Sequence, residues 1–384
     1  MAIDFEKVPT PCFLLDERSL EINLQILNLV QQEAAVQLIC ALKGFAFWHE
    51  FPLVRHYLSG ATASSLNEAR LIAEEMDLEA HTYCPVYRDD EFEAMLALSS
   101  HLTFNSLTQY QKYYQRAKDF GKKVSLGLRI NPQYSEIKTP LYNPAIEGSR
   151  LGVVRSQLGN TLPEGIEGVH FHVLCENDSY TLERTLAEVE NRFGDLIRQA
   201  KWVNMGGGHL ITQDGYDVEH LVNLLKDFRK RYPNLEEVIL EPGSAVGWQT
   251  GFLVACVQDI IEYKDFNIAM LDISFANHTP DCLEMPYKPA ILHARNPQQG
   301  DKHIYRMGGN SCLSGDFMGM GDYAFDEPLE IGEKIIFEDM IHYTMVKTTF
   351  FNGVQHPHIA VWTKDDDLLV LRTFGYEDYK GKLS

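Results

Sequence analysis

No two cysteines in this 384-residue chain form a C-x-x-C pair. The seven present, Cys12, Cys40, Cys84, Cys175, Cys256, Cys282 and Cys312, are odd in number and scattered. That excludes a disulfide framework or cysteine zinc site and suits reduced thiols in a cytoplasm. No apolar run approaches membrane-spanning length, and the N-terminus lacks the basic, apolar and small-residue pattern of a signal peptide. Positive charge is scarce: 34 Lys and Arg stand against 54 Asp and Glu, a net −20. The balance argues against a nucleic-acid phosphate surface. It is compatible with drawing in cationic small molecules, though acidity also serves solubility alone. Repeats, low-complexity tracts and flexible linkers are absent as well.

What is present is a folded chain, 45% hydrophobic, long enough for a large core and a second domain. From about residue 17 to 245 short apolar strands alternate with amphipathic segments. The strand candidates are Val36–Leu42, the stretch around Thr62, His81–Cys84, Leu102–Asn105, Val124–Asn131, Val169–Leu174, Trp202–Met205 and Val238–Glu241. Between them lie helical patterns such as Ser65–Met76, Asp89–Leu98, Ser106–Phe120, Tyr180–Phe193 and Val218–Arg231. Eight strands interleaved with helices predict an α/β fold, a closed parallel (β/α)8 barrel rather than an open sheet. After Gly243 the pattern turns β-rich, with Phe252–Tyr263, Ile268–Ser274, His303–Arg306, Lys334–Phe337 and His342–Thr348. A mainly antiparallel β domain is therefore expected over residues 246–384. Pro132–Gly148 is a long polar loop, a lid or a surface excursion.

Chemistry-bearing residues gather at the strand ends. Lys43 closes the apolar run Val36-Gln-Leu-Ile-Cys-Ala-Leu and precedes Gly44. An amine delivered to apolar surroundings has its pKa depressed and can attack a carbonyl to form a Schiff base. A strand-end lysine can equally snorkel into water. His170-Phe-His172 puts two imidazoles on one strand face, as a metal pair, a ring stacked on an aromatic cofactor, or two hydrogen-bonded core histidines. Asn204-Met-Gly-Gly-Gly-His209 can curl peptide N–H groups around a phosphate or simply turn. Glu241-Pro-Gly243 ends a strand with a carboxylate able to pair with a protonated pyridine nitrogen; an exposed acidic turn is the plainer alternative. Cys312, Asp316, Phe337-Glu-Asp-Met340 and Tyr343 follow in the β-rich part.

In this order the residues resemble the fold-type III pyridoxal-phosphate decarboxylases, the group of ornithine and diaminopimelate decarboxylases. The resemblance runs through Pro11–Asp16, Ala41-Leu-Lys-Gly-Phe45, Ala63-Ser-Ser-Leu-Asn-Glu68, Leu128–Asn131, His170–His172, Gly206–His209, Glu241–Gly243, Leu283–Tyr287, and Phe337–Met340 with Tyr343. Ser149–Gly152, His172–Glu176 and His342–Lys347 are similar to its polyamine branch, the carboxynorspermidine and carboxyspermidine decarboxylases. The resemblance implies an alanine-racemase-like barrel whose first strand, within residues 1–16, joins the β domain. It implies pyridoxal 5'-phosphate held covalently by Lys43, stacked under His172, met at its ring nitrogen by Glu241, and gripped at its phosphate by Gly206, Gly207, Gly208 and Tyr343. Cys312 would arrive from the partner subunit of a head-to-tail homodimer and reprotonate the α-carbon.

Two departures from the family pattern matter, the first for the grip on phosphate and the second for substrate. Ser244 stands where relatives carry a phosphate-binding arginine, and Leu313 stands where diaminopimelate decarboxylases carry a glutamate. The expected reaction is decarboxylation of carboxynorspermidine or carboxyspermidine, an amino acid with a cationic tail that carboxylates must meet. Asp272 and Asp281 are the preferred tail pair, with Glu284, Asp316 and His278 nearby in sequence and Glu241 at the reacting end. The alternatives are a diaminopimelate or ornithine decarboxylase, a metal-dependent barrel hydrolase using His170, His172, Asp272 and His278, and a catalytically dead binding protein.

Overall fold

The computed structural model describes residues 3–264, 266–284 and 286–384; Met285, within the Leu283–Tyr287 stretch, lies outside them. The chain divides into two compact units, residues 23–246 and the residues up to 22 together with those from 247 onward.

In chain order the elements begin with β1 (Cys12–Asp16) and α1 (Glu17–Ala34). They continue with β2 (Gln37–Ala41), α2 (Phe51–Tyr57), β3 (Gly60–Ala63), α3 (Leu66–Glu75), β4 (Ala80–Tyr83), α4 (Phe92–Leu98), β5 (Ser99–Phe104) and α5 (Leu107–Asp119). Then come β6 (Ser125–Asn131), the two-residue β7 (Val153–Val154), β8 (Ile166–His170), α6 (Ser179–Ile197), β9 (Trp202–Asn204), α7 (Val218–Arg231) and β10 (Glu237–Leu240). The strands β2, β3, β4, β5, β6, β8, β9 and β10 pair in parallel, and β10 returns to β2, closing the barrel of eight strands. Residues 38–41 of β2 are all buried, as a strand sandwiched between a barrel interior and a ring of helices must be. On α6, Leu182, Leu186, Val189, Phe193 and Leu196 recur at helical spacing and are buried.

Side-chain caps start the helices sharply after their strands. Ser65 accepts the Glu68 N–H while Glu68 reaches back to the Ser64 N–H. Ser106 and Gln109 repeat the arrangement on α5, with Gln109 reaching the Asn105 N–H. Asp178 and Asp217 cap α6 and α7 through the N–H groups of Thr181 and His220. Each cap ends its loop at a set residue, so the strand ends all open on one rim.

One large ring occupies a layer of the barrel interior, with the His101 ring edge-on beside it. Trp202 packs with Ile39 and Ile239 and donates its indole N–H to Ser125 Oγ at 2.8 Å. The ring lies against glycines: a Cβ on Gly168 would stand 1.9 Å from it and one on Gly127 2.2 Å. Two side chains are missing so that one tryptophan can fill the layer.

The second unit is a mainly antiparallel sheet of β11 (Gly251–Glu262), β12 (Asn267–Leu271), β13 (Ala294–Arg295), β14 (His303–Gly308), β15 (Tyr323–Phe325), β16 (Lys334–Glu338), β17 (His358–Trp362) and β18 (Leu368–Arg372), joined by β1. β1 lies between β11 (antiparallel) and β17 (parallel). Cys12 and Leu14 of β1 pack there with Val254, Ala360 and Trp362. The stretch His342–Thr348, expected as a strand, forms turns and the 3-10 turn Met345–Lys347 instead. Tyr343 adopts a positive φ of 50°. The Thr344 hydroxyl turns inward to bond Asp281, so alternation cannot be sustained.

Replacing Gly168 with alanine forces a methyl into the Trp202 ring. We expect destabilisation of about 1–3 kcal/mol or more, read as a lower urea midpoint; an unchanged midpoint would refute this packing of the interior.

Candidate active site

Lys43 lies two residues beyond β2, in a tight turn where the N–H groups of Gly44 and Phe45 both bond to Ala41 O. The turn lifts its side chain onto the rim, where Nζ stands 3.4 Å from His172 Nε2. Burial lowers the amine's pKa from its ordinary 10.5; Glu241 opposes the shift and Arg129 reinforces it. His172 lies just past the end of β8 rather than within a strand, its ring turned by Gly207, whose N–H donates to Nδ1 at 3.0 Å. Nδ1 also lies 3.1 Å from Gly207 O, so the Gly207 peptide holds the ring whichever nitrogen carries its proton. Burial first, then the Lys43 and Arg129 charges, hold the His172 pKa well below 6.5.

The glycine run follows β9 directly. Gly206 and Gly208 take φ values of +69° and +93°, which favour glycine. A Cβ on Gly207 would stand 2.1 Å from Glu241 O, and one on Gly208 2.1 Å from Leu174 O. These residues are glycine because three chain segments converge there, and that convergence brings their peptide groups to the rim.

Glu241 follows β10 and is 8% exposed. Its N–H bonds Gly206 O at 2.8 Å, tying it to the glycine run. Asn204 Nδ2 donates to its Oε1 at 2.7 Å, while Asn204 Oδ1 accepts the Gly206 N–H at 2.9 Å. Thr62 adds a side-chain hydrogen bond. Burial raises the Glu241 pKa above 4.5, and Lys43, Asn204, Thr62 and Arg129 pull it back. Arg129 is itself buried, lies 4.7 Å over the Tyr83 ring, and donates to His172 O at 3.0 Å. Asn204, Thr62, Arg129 and Tyr83 had no assigned role in the sequence. The one signal was an arginine inside the apolar Leu128-Arg-Ile run.

The other expected residues lie on the sheet unit. Cys312 is exposed in a loop, its N–H donating to Asn352 Oδ1 at 2.9 Å. Tyr343 sits edge-on to His342 at 6.3 Å. Asp272 accepts the Cys256 N–H at 2.8 Å and a Thr10 hydrogen bond. Asp316 has both oxygens taken by backbone, from Ala276 at 3.1 Å and Ser311 at 3.0 Å, and pins its own loop. Asp281 is buried, with Oδ2 bonded to Tyr287 and Thr344 and Oδ1 without a hydrogen-bond partner. His278 is fully buried, its Nδ1 accepting the Ser274 N–H at 3.1 Å, and burial drops its pKa to about 3. Glu284 pairs with Lys347. Among the described residues no group of three or more His, Cys, Asp or Glu is placed to hold a metal ion.

The family model described as pyridoxal-dependent decarboxylase, C-terminal sheet domain, matches residues 56–341. The chain belongs to the pyridoxal-dependent decarboxylases. This decarboxylase is 52% identical to the carboxyaminopropylagmatine decarboxylase of Synechocystis sp., over 98% of this chain and 96% of that one. It is 44% identical to the carboxynorspermidine/carboxyspermidine decarboxylase of Campylobacter jejuni, over 98% of each chain. The crystal structure of carboxynorspermidine decarboxylase complexed with norspermidine from Campylobacter jejuni superimposes with a TM-score of 0.89, covering 98% of this chain and 100% of that one at 42% identity. Diaminopimelate decarboxylases are more distant relatives. The decarboxylase's rim fits the family's cofactor, pyridoxal phosphate: it offers an amine whose pKa is lowered by burial, a carboxylate held by neutral donors, and a turn of glycine peptides.

The depressed lysine carries a stability consequence. Below its folded pKa the buried amine is charged in both states, and the folded protein bears the full desolvation penalty. As pH rises from the folded pKa toward 10.5, the unfolded chain binds more protons and the penalty is relieved. Cofactor-free protein should therefore gain stability relative to its Lys43→Met variant across that window. Urea midpoints of both proteins at stepped pH measure this, and a constant difference would contradict the burial of the amine.

Proposed function

We propose that this enzyme decarboxylates an amino acid with a long cationic tail, carboxynorspermidine or carboxyspermidine, yielding norspermidine or spermidine. The observation that carries the reading is the buried pairing at the rim: a neutral-leaning Lys43 beside His172, across from a Glu241 bonded by Asn204 and Thr62. Pyridoxal phosphate, when bound, supplies a ring that accepts the electrons left behind by the departing carboxylate. Lys43 would be the residue that holds the cofactor's aldehyde end, its amine pKa lowered by burial. Glu241 would pair with the ring nitrogen, His172 would stack on the ring, and the peptides of Gly206, Gly207 and Gly208 would hold the phosphate. Tyr343 and Cys312, both on the sheet unit, carry the roles the resemblance implies, as a phosphate ligand and as the proton donor to the α-carbon. The exposed Cys312 thiol supports its delivery to a partner subunit in a homodimer. No helix among the described residues is long and apolar enough to cross a membrane, and a cytoplasmic location suits the unpaired thiols.

For the tail, Asp281 is favoured over Asp272 and Asp316, because its Oδ1 is a buried carboxylate oxygen without a hydrogen-bond partner, whereas backbone N–H groups bond the other two. A second reading, carboxyaminopropylagmatine as substrate, is favoured by the 52% identity to the Synechocystis enzyme. Its tail ends in a planar guanidinium, which a carboxylate recognises through paired hydrogen bonds rather than as a point charge.

Borohydride reduction of the holoenzyme followed by peptide mass analysis should label the peptide containing Lys43; a colourless protein with no labelled peptide overturns the reading. Carbon dioxide release from the three tailed amino acids and diaminopimelate, assayed side by side, identifies the substrate. Glu241→Gln should lower kcat by at least about 100-fold. Asp281→Asn should raise KM with kcat little changed, and an unchanged KM removes it from tail binding.

A further inference from the structure

Glu241 has a neighbour that the proposed reaction does not use. His170, the last residue of β8, is 2% exposed, and neither of its ring nitrogens has a hydrogen-bond partner. Its Nε2 lies 3.8 Å from Glu241 Oε2, while Asn204 donates to Oε1 at 2.7 Å and Thr62 adds a further side-chain hydrogen bond to the carboxylate. The ring cannot turn elsewhere freely, because Tyr83 meets it edge-on at 5.2 Å and Arg129 lies over Tyr83 at 4.7 Å. Burial, with Arg129 and Lys43 close by, keeps the imidazole uncharged. A cationic histidine there would consume the charge of Glu241. A neutral one orients the carboxylate and leaves its charge for another partner.

We infer that His170 is a positioning residue for Glu241, donating from Nε2 to Oε2 in the holoenzyme so that, with Asn204 on Oε1, the carboxylate is clamped toward the ring nitrogen of the cofactor. The clamp has a built-in asymmetry. Asn204 is locked by the Gly206 N–H on its Oδ1, so its amide can only donate to Glu241. His170 reaches Oε2, beside the Thr62 hydrogen bond, by a small side-chain rotation once the cofactor organises the rim. Two neutral donors on opposite oxygens fix the plane of the carboxylate without titrating it. The inference rests on the assignment of Glu241 to the ring nitrogen.

The test reads the cofactor nitrogen directly. Holoenzyme is loaded with 15N-labelled pyridoxal phosphate, and its nitrogen shift is recorded for the unmodified protein, Glu241→Gln, His170→Phe and His170→Asn, with kcat and KM. Glu241→Gln should move the signal toward the unprotonated position. His170→Phe should move it the same way and lower kcat by about 10- to 100-fold with KM nearly unchanged, and His170→Asn, which restores a donor, should recover both. If Glu241→Gln shifts the signal and His170→Phe does not, the role of His170 is overturned while that of Glu241 stands. If Glu241→Gln leaves the signal in place, the ring-nitrogen assignment fails and takes the inference with it. Should the phenylalanine variant not fold, a crystal structure of the unmodified holoenzyme decides: Nε2 to Oε2 at about 3.2 Å or less supports the clamp, and a gap still near 3.8 Å overturns it.

Discussion

A carboxylate placed where water is largely excluded is the constraint on which this site depends. Glu241 is buried, and burial raises its pKa. The surroundings answer with neutral donors and with two basic side chains set near it, Lys43 and Arg129, which pull its pKa back down. Every one of these groups arrives from a different strand: Lys43 after β2, Thr62 on β3, Arg129 on β6, Asn204 on β9. A barrel is the architecture that lets the ends of so many strands meet at one rim, because closure brings strands distant in sequence into neighbouring positions.

That convergence is costly in space, and the glycines record it. Gly206 to Gly208 sit where the chain after β9 passes within touching distance of the backbone after β8 and β10. Lower in the barrel, Gly127 and Gly168 stand aside for Trp202. The first set permits an approach of backbones, the second makes room for a ring. Both keep the interior closely packed while the rim stays polar, a division of labour between the two ends of the same strands.

Periodicity revealed the barrel because its strands are buried on both faces and its helices carry apolar stripes, and those patterns survive in sequence. It failed at His342–Thr348, where β-branched residues favour extension but the Thr344 hydroxyl bonds inward to Asp281. It also passed over β17 and β18, whose short apolar runs resemble loops between known elements. In the site, Lys43, His172 and Glu241 were legible because each interrupts or ends an apolar run. Asn204 was not, since an asparagine before a glycine turn reads as turn chemistry; only its bonds to Gly206 and Glu241 show a clamp.

By itself the sequence determined the class of chemistry: a strand-end lysine, a strand-end glutamate and a glycine run in that order belong to pyridoxal-dependent decarboxylation. Tertiary structure alone decided which acidic groups are spoken for. Asp272 and Asp316 look as available as Asp281 on paper, yet backbone N–H groups bond the first two and leave one oxygen of the third open. The reason is physical: a residue type advertises what a side chain can bond, but occupancy of its lone pairs depends on which distant peptide groups the fold places beside it.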